Sequence, residues 1–188
     1  MEYVQPIRDK KQIDSIKKIL RATNLRDHAL FVLGINSGLR VSDLLKLKIR
    51  DVMDGSKIQD RILLREQKTG KTKDFPLSDN ARKALIEYIK TREGYSPDDA
   101  LFASRKGGRS ITRHQAYRII NDAARSVGIK ENIGTHTLRK TFGYHAYQAG
   151  VDITRIQKLL NHSAPSVTLA YIGITQEELD DVYLNLNL

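Results

Sequence analysis

The apolar positions of the chain follow two different periods. Ile13, Ile16, Ile19 and Leu20 recur at helical spacing behind Asp9, a capping residue, and Ala29, Leu30, Val32 and Leu33 follow a second capping residue, Asn24. Gly38 is placed to end the second helix and Ser42 to cap a short third one carrying Leu44, Leu45 and Leu47, which puts Arg40 at a helix junction. Between 49 and 77 the period shortens. The runs IRDVM, RILLRE and TKDFPL, broken at Asp54-Gly55 and at KTGK, predict a small antiparallel sheet with Lys68 in its last hairpin.

Helical spacing returns at Asp79 with Ala81, Ala84, Leu85 and Tyr88. Beyond a Gly-Tyr-Ser-Pro loop and the polar loop SRKGGRS, helices are predicted over 112–127 and 137–149, closed by Gly128 and Gly150. Asp152 caps another helix, Pro165 opens a short one, and QEELDDVYL forms the last. No repeat, low-complexity tract or Pro- or Ser-rich linker divides the chain. The reading is α+β, mainly α: a helical domain over 1–188 with one small antiparallel sheet, and a tail helix over 175–188.

A length of 188 residues suits one domain and a sizeable core, with about 70% of the unfolded surface buried. No apolar run approaches the roughly 18 residues of a membrane span, and the polar amino terminus lacks a signal core, so a cytoplasmic location is expected. The absence of cysteine removes disulfide frameworks, thiolate metal sites and thiol nucleophiles.

The net charge of +10 points to a polyanion. It is concentrated between 101 and 150, where nine Lys and Arg face two Asp and Glu, whereas 151–188 is acidic. These cations are interspersed with acids over many segments and not grouped opposite one large apolar face, which favours nucleic acid over a membrane surface.

Four clusters could carry chemistry: Arg40 behind Gly-Leu, Lys68 in the hairpin, His136 with Arg139 in THTLR, and His162 followed nine residues later by Tyr171. Each alone has an ordinary explanation as a cap, a solvated tip or a packed aromatic. Together they form a coherent set. His136 and Arg139 share a helix face, and two guanidinium forks match the oxygens of a phosphate. A tyrosine becomes a nucleophile when a base and cations assist loss of its proton, and a lysine can protonate a leaving alkoxide. The parts suit phosphoryl transfer from DNA to a tyrosine, with no metal and no cofactor required.

The strings GLRVSDLL (38–45), EQKTGK (66–71), THTLRKTF (135–142) and LLNHSAPSVTLAYIG (159–173) resemble, in order and spacing, the catalytic domain of tyrosine recombinases, the phage integrase family. The resemblance runs from the first helix to about residue 175. It implies a site-specific recombinase in which Tyr171 attacks the scissile phosphodiester and forms a 3′-phosphotyrosyl link, with double-stranded DNA as partner. It further implies that Arg40 and Arg139 hold the non-bridging oxygens, His136 exchanges a proton with the tyrosine, Lys68 protonates the 5′-oxygen and His162 hydrogen-bonds the phosphate. Asp43 matches a supporting acidic position, while Lys71 and Lys73 compete with Lys68 for the lysine role. Self-association as a tetramer on DNA is implied, with an accessory protein as a further partner.

Two departures from the family pattern stand out. The amino-terminal core-binding domain common in the family is expected to be absent, and Asn161 stands where a glycine commonly precedes the second histidine. Outside the motifs, Arg105, Lys106, Arg109, Arg113 and Arg118 stand without an acid among them and are read as DNA-backbone contacts. His28, His114 and His145 are read as packing or surface residues, so no metal site is expected. Leu179, Val182, Tyr183 and Leu186 form a tail stripe that either covers the chain's own core or enters a neighbouring subunit. Two other functions fit parts of the pattern: a type IB topoisomerase, and a DNA-binding module without chemistry.

Overall fold

The computed structural model of the chain describes residues 4–105 and 108–186. Helix α1 (Lys10–Thr23) begins where the Asp9 side chain accepts from Lys11 N–H, and α2 (Leu25–Ser37) where Asn24 accepts from Arg26 and Asp27 N–H. Gly38 ends α2 at φ 61, a left-handed conformation that glycine adopts without steric cost. The short α3 (Val41–Leu44) is capped two residues earlier than expected. Arg40 is extended, and its carbonyl, not Ser42, takes the first N–H groups, from Asp43 and Leu44.

The predicted single sheet is two separate hairpins. Strands β1 (Met53–Asp54) and β2 (Lys57–Ile58) pair antiparallel, as do β3 (Arg61–Arg65) and β4 (Thr72–Pro76) in the register Ile62 to Phe75 and Leu64 to Lys73. The first predicted strand is interrupted because Asp51 accepts from Lys48 N–H at 2.8 Å, which closes a 3₁₀ turn over Ile49–Asp51. Six more helices follow among the described residues: α4 (Asp79–Ile89), α5 (Arg113–Ser126), α6 (Thr137–Gln148), α7 (Ile153–Leu159), α8 (Pro165–Ile172) and the tail helix α9 (Gln176–Leu186).

Helix α2 is apolar nearly all round because α1, α4 and α6 all pack on it. Its Leu30, Phe31 and Leu33 are among the most buried side chains, each contributing roughly 1.5–3 kcal/mol by leaving water. On α1 the buried stripe is Ile13, Ile16 and Leu20, while Ile19 remains 37% exposed. A second cluster, Tyr144, Ile156, Leu160 and Ile172, joins α6, α7 and α8. Helix α6 serves both cores, since its Leu138 belongs to the first.

Gly143 permits this second cluster to close. A Cβ there would stand 2.7 Å from Ile172 Cγ2, so α8 rests directly on the α6 backbone. The segment before α1 straps the same region. Ile7 N–H donates to Thr141 Oγ1 at 2.9 Å, Thr137 Oγ1 donates to the Gln5 carbonyl at 3.0 Å, and Arg8 donates to the Gly173 carbonyl at 2.8 Å, just past the end of α8. No helix among the described residues is long and apolar enough to cross a membrane.

Candidate active site

Four separated stretches converge on one site. The α2–α3 junction supplies Arg40, whose Nη1 lies 3.0 Å from Glu66 Oε2. Asp43, one turn on, is buried and its Oδ1 accepts from Gln67 N–H at 2.9 Å, which ties α3 to the base of the β3–β4 hairpin. That hairpin places Lys68 at its exposed tip, lining a cleft of about 210 Å³ with Arg40, Ser42, Arg113, Thr135 and His136.

The two other candidate lysines lie elsewhere. Lys71 is exposed beyond the turn. Lys73 is buried beneath the site, donates to the Ser37 carbonyl at 3.1 Å, and is held down at about 8 by burial and the nearby Arg139.

His136 caps α6, and Arg139 follows in its first turn. Arg139 is buried, and its guanidinium is oriented by two backbone carbonyls, Gly38 at 2.7 Å and Leu160. His162 owes its position to the end of α7. Asn161 takes φ 49, His162 N–H donates to the Gln157 carbonyl and Asn161 N–H to that of Lys158, which is a Schellman closure. Its Nδ1 is 3.1 Å from Thr168 Oγ1 on α8.

Tyr171, on the last turn of α8, reaches into this group from the same chain. Its hydroxyl is 3.3 Å from His136 Nδ1, its ring meets that of His162 edge-on at 4.8 Å, and the Lys140 ammonium stands 5.0 Å over its face.

The electrostatics favour the neutral forms of both imidazoles and of the phenol. Loss of water on its packed side, then Arg113, Arg139, Lys140 and Arg40, hold His136 below its usual 6.5. Desolvation, then Arg139 and Arg40, push His162 down to about 4. Burial raises the Tyr171 phenol, and Arg139 and Arg40 oppose that rise. Burial would raise Glu66 as well, but hydrogen bonds from Thr69 and Arg40 outweigh it and keep the carboxyl below its ordinary range. The arrangement is a cationic pocket in which a neutral phenol and a neutral imidazole are already in contact.

Of the residues read as DNA contacts, Arg105, Arg109, Arg113 and Arg118 are exposed, and Lys106 lies outside the described residues. Arg113 is also part of the cleft rim, donating to Thr135 Oγ1 at 3.2 Å. His28 is buried, His114 packs near Tyr117, and His145 contacts the Ile7 carbonyl at 2.9 Å. No cluster of three or more metal-ligating His, Cys, Asp or Glu occurs among the described residues. The tail stripe does not cover the chain's own core: Leu179, Val182, Tyr183 and Leu186 are 41%, 58%, 81% and 61% exposed.

Sequence reasoning passed over Glu66, Thr168 and Lys140, and treated Lys73 only as a rival to Lys68. A signal for two of them existed in the strand alternation. Ile62, Leu64 and then Glu66 share the inward face of β3, as Lys73 and Phe75 share that of β4, so both charges had to meet the interior.

Residues 8–178 match the phage integrase family. The chain is 43% identical over 183 residues to "Probable integrase/recombinase YoeC" of Bacillus subtilis (strain 168), covering 97% of both chains. It is 35% identical over 159 residues to tyrosine recombinase XerC of Pelobacter propionicus, covering 85% of this chain and 51% of that relative. Among solved structures, XerA recombinase superposes with a TM-score of 0.79 at 24% identity, over 98% of this chain and 64% of that one. XerH bound to a palindromic difH substrate, a post-cleavage complex, gives 0.76 at 21% identity over 94% and 51%. The chain thus spans nearly the whole of the Bacillus relative and about half of XerC, and the structural likenesses establish a shared fold.

Proposed function

The chain belongs to the phage integrase family, and from that premise we propose that it is a site-specific DNA recombinase that cuts and rejoins strands through Tyr171. The observation that carries this reading is the convergence of Arg40, His136, Arg139 and His162 around one tyrosine.

In the proposed cleavage Tyr171 Oη attacks the phosphorus as its proton passes to His136 Nδ1. The P–O5′ bond breaks, Lys68 gives the leaving 5′-oxygen its proton, and a 3′-phosphotyrosyl ester remains. Arg40 and Arg139 hold the non-bridging oxygens as charge grows on them, a form of stabilisation that a prearranged cationic site supplies without reorganisation. His162, held by the 3.1 Å contact between its Nδ1 and the Thr168 hydroxyl, is placed to hydrogen-bond the same phosphate. A 5′-hydroxyl from a partner duplex reverses the steps, so the phosphodiester energy is conserved and no nucleotide cofactor takes part. Asp43 supports the set by fixing the hairpin that carries Lys68.

Double-stranded DNA is the proposed substrate, tracked by Arg105, Lys106, Arg109, Arg113 and Arg118. The exposed tail stripe is proposed to dock on a second copy of the chain, building a tetramer on DNA, and the cytoplasm is the proposed place of action.

A nicked suicide substrate tests the reading. The wild type is expected to form a covalent adduct that survives denaturation, in excess chelator, mapping to Tyr171, while Tyr171→Phe binds DNA and forms none. Binding without any adduct would leave a DNA-binding module. Supercoil relaxation without strand exchange would indicate a topoisomerase. An adduct on Tyr144, Tyr147 or Tyr183 would remove Tyr171 from its role.

A further inference from the structure

The nucleophile and the first arginine sit on different packing units. Helices α7 and α8 pack on α6 and on each other, in the cluster of Tyr144, Ile156, Leu160 and Ile172, whereas Arg40 and the hairpin belong to the main core. Apolar contact alone leaves the spacing between such units soft on the scale that chemistry needs, because dispersion is non-directional while a reacting group must be held within about 0.5 Å. A directional tie is required between them.

Glu66 supplies the anchor for one. Its side chain is fully enclosed, and a single oxygen, Oε2, gathers three contacts: Arg40 Nη1 at 3.0 Å, the Thr69 hydroxyl at 2.7 Å and Asn161 Nδ2 at 3.0 Å. These come from the α2–α3 junction, the Lys68 turn and the loop that delivers His162. The Glu66 backbone also closes the turn, donating to the Lys71 carbonyl and accepting from Gly70 N–H, both at 2.9 Å.

Asn161 answers two demands. Its φ of 49 limits the position to residues tolerant of the left-handed region, of which glycine would serve the backbone equally well. The amide is therefore surplus to the turn, and it is spent on the buried carboxylate.

We propose that Glu66 and Asn161 act as a positioning relay: the amide of Asn161 ties the His162 and Tyr171 segment to the carboxylate that sets Arg40 and the Lys68 turn, so that both halves of the site move as one. Neither residue touches the reacting atoms. The proposal rests on the recombinase reading for its kinetic effect, though the tie between hairpin and loop can be read without catalysis.

Asn161→Gly removes the amide and keeps the backbone conformation. Single-turnover cleavage of suicide DNA at saturating enzyme is expected to slow about tenfold, the scale of one hydrogen bond to a charged group, with DNA affinity unchanged. Asn161→Asp sets a second carboxylate against Glu66. Its rate relative to wild type is expected to be lowest at pH 8 and to rise as the pH falls towards 6, where the pair shares a proton. Glu66→Gln combined with Asn161→Asp restores one amide facing one carboxylate and is expected to recover much of the rate lost in either single variant.

Hydrogen exchange gives a readout independent of activity. Amides of the 66–71 turn are expected to exchange faster in Asn161→Gly than in wild type. Equal exchange together with a wild-type cleavage rate and pH profile would overturn the relay, as would a double variant no better than the singles. If the wild type forms no adduct, the recombinase reading fails, and turn exchange alone then decides whether the tie exists.

Discussion

His136 Nδ1 lies 3.3 Å from the hydroxyl of Tyr171, thirty-five residues further along the chain. Both groups are neutral in that contact, the imidazole because desolvation and four cations disfavour a further charge, the phenol because burial does. In the proposed cleavage, a phosphate held between Arg40 and Arg139 offsets their charge and eases the passage of the Tyr171 proton to His136.

A pH dependence follows. His136 must be unprotonated to accept the phenol proton, and its pKa lies below 6.5. Single-turnover cleavage should be level through neutral pH and fall only on the acid side of 6.5. His136→Gln should cut the rate by about 10²–10⁴ at pH 7.5 and abolish the acid limb, with DNA affinity retained. Retention of the acid limb in the variant would assign it to another group.

His162 offers a stability test. Its folded value of about 4 lies below the unfolded 6.5, so between those pH values the unfolded chain binds the extra proton. Stability from this group is therefore constant above 6.5 and is lost as pH falls from 6.5 towards 4. Denaturant unfolding at pH 7 and pH 5 should show wild type losing more stability than His162→Asn over that interval. Equal losses would mean that the imidazole is well hydrated.

Much of this architecture is legible in local signals, and what is not has a physical reason. Asp9, Asn24 and Asp152 each accept the N–H that their capping role predicts, because a cap depends on residues two or three positions away. That Arg40, His136, Arg139, His162 and Tyr171 lie together was legible in the motif strings. The partners that orient them were not. The Gly38 and Leu160 carbonyls that aim Arg139 come from other elements, and a backbone carbonyl leaves no trace in residue identity. The Arg8 contact to Gly173 spans 165 positions and follows from no local pattern. The first expected strand was cut short because Asp51 made a turn where β-branched neighbours suggested a strand.

Gly143 links packing to chemistry. In Gly143→Ala the new methyl would stand 2.7 Å from Ile172 Cγ2, the side chain next to Tyr171. The clash is expected to cost about 1–3 kcal/mol of stability and to push α8 away from α6. Cleavage should fall further than the loss of folded protein accounts for, while DNA binding through the 105–118 stretch persists. A variant that cleaves at the wild-type rate per folded molecule would show that α8 tolerates the shift.

Arg109 and Arg113 differ in their distance from the chemistry. Both are exposed, but only Arg113 lines the cleft with Lys68 and His136. Either change to Ala should lower the salt slope of log affinity by about 0.9 if one phosphate contact is lost. Arg113→Ala alone should also alter the cleavage rate at saturating DNA, since it is one of the cations that hold down His136. Normal binding by both variants at every salt concentration would make the stretch a solvated face.

The tail gives the last test. Helix α9 has no buried residue, and Glu178 ties it to α6, accepting from the Tyr144 hydroxyl at 2.9 Å and from Gln148 at 3.0 Å. Two such bonds contribute about 0.5–1.5 kcal/mol each. For a chain of this size, that corresponds to a fall in Tm of roughly 2–4 °C per kcal/mol. Deleting 176–188 should therefore lower Tm by only several degrees and leave Tyr171 cleavage intact. The apolar stripe of Leu179, Val182, Tyr183 and Leu186 is free to bury itself against a second copy, so the truncated chain should fail in strand exchange and in higher-order assembly on DNA. Light scattering and native gels of the DNA complexes, beside cleavage and exchange assays, separate these effects. A truncated chain that still assembles and exchanges strands would sink the docking role, and one that loses cleavage together with many degrees of Tm would show that the tail supports its own domain.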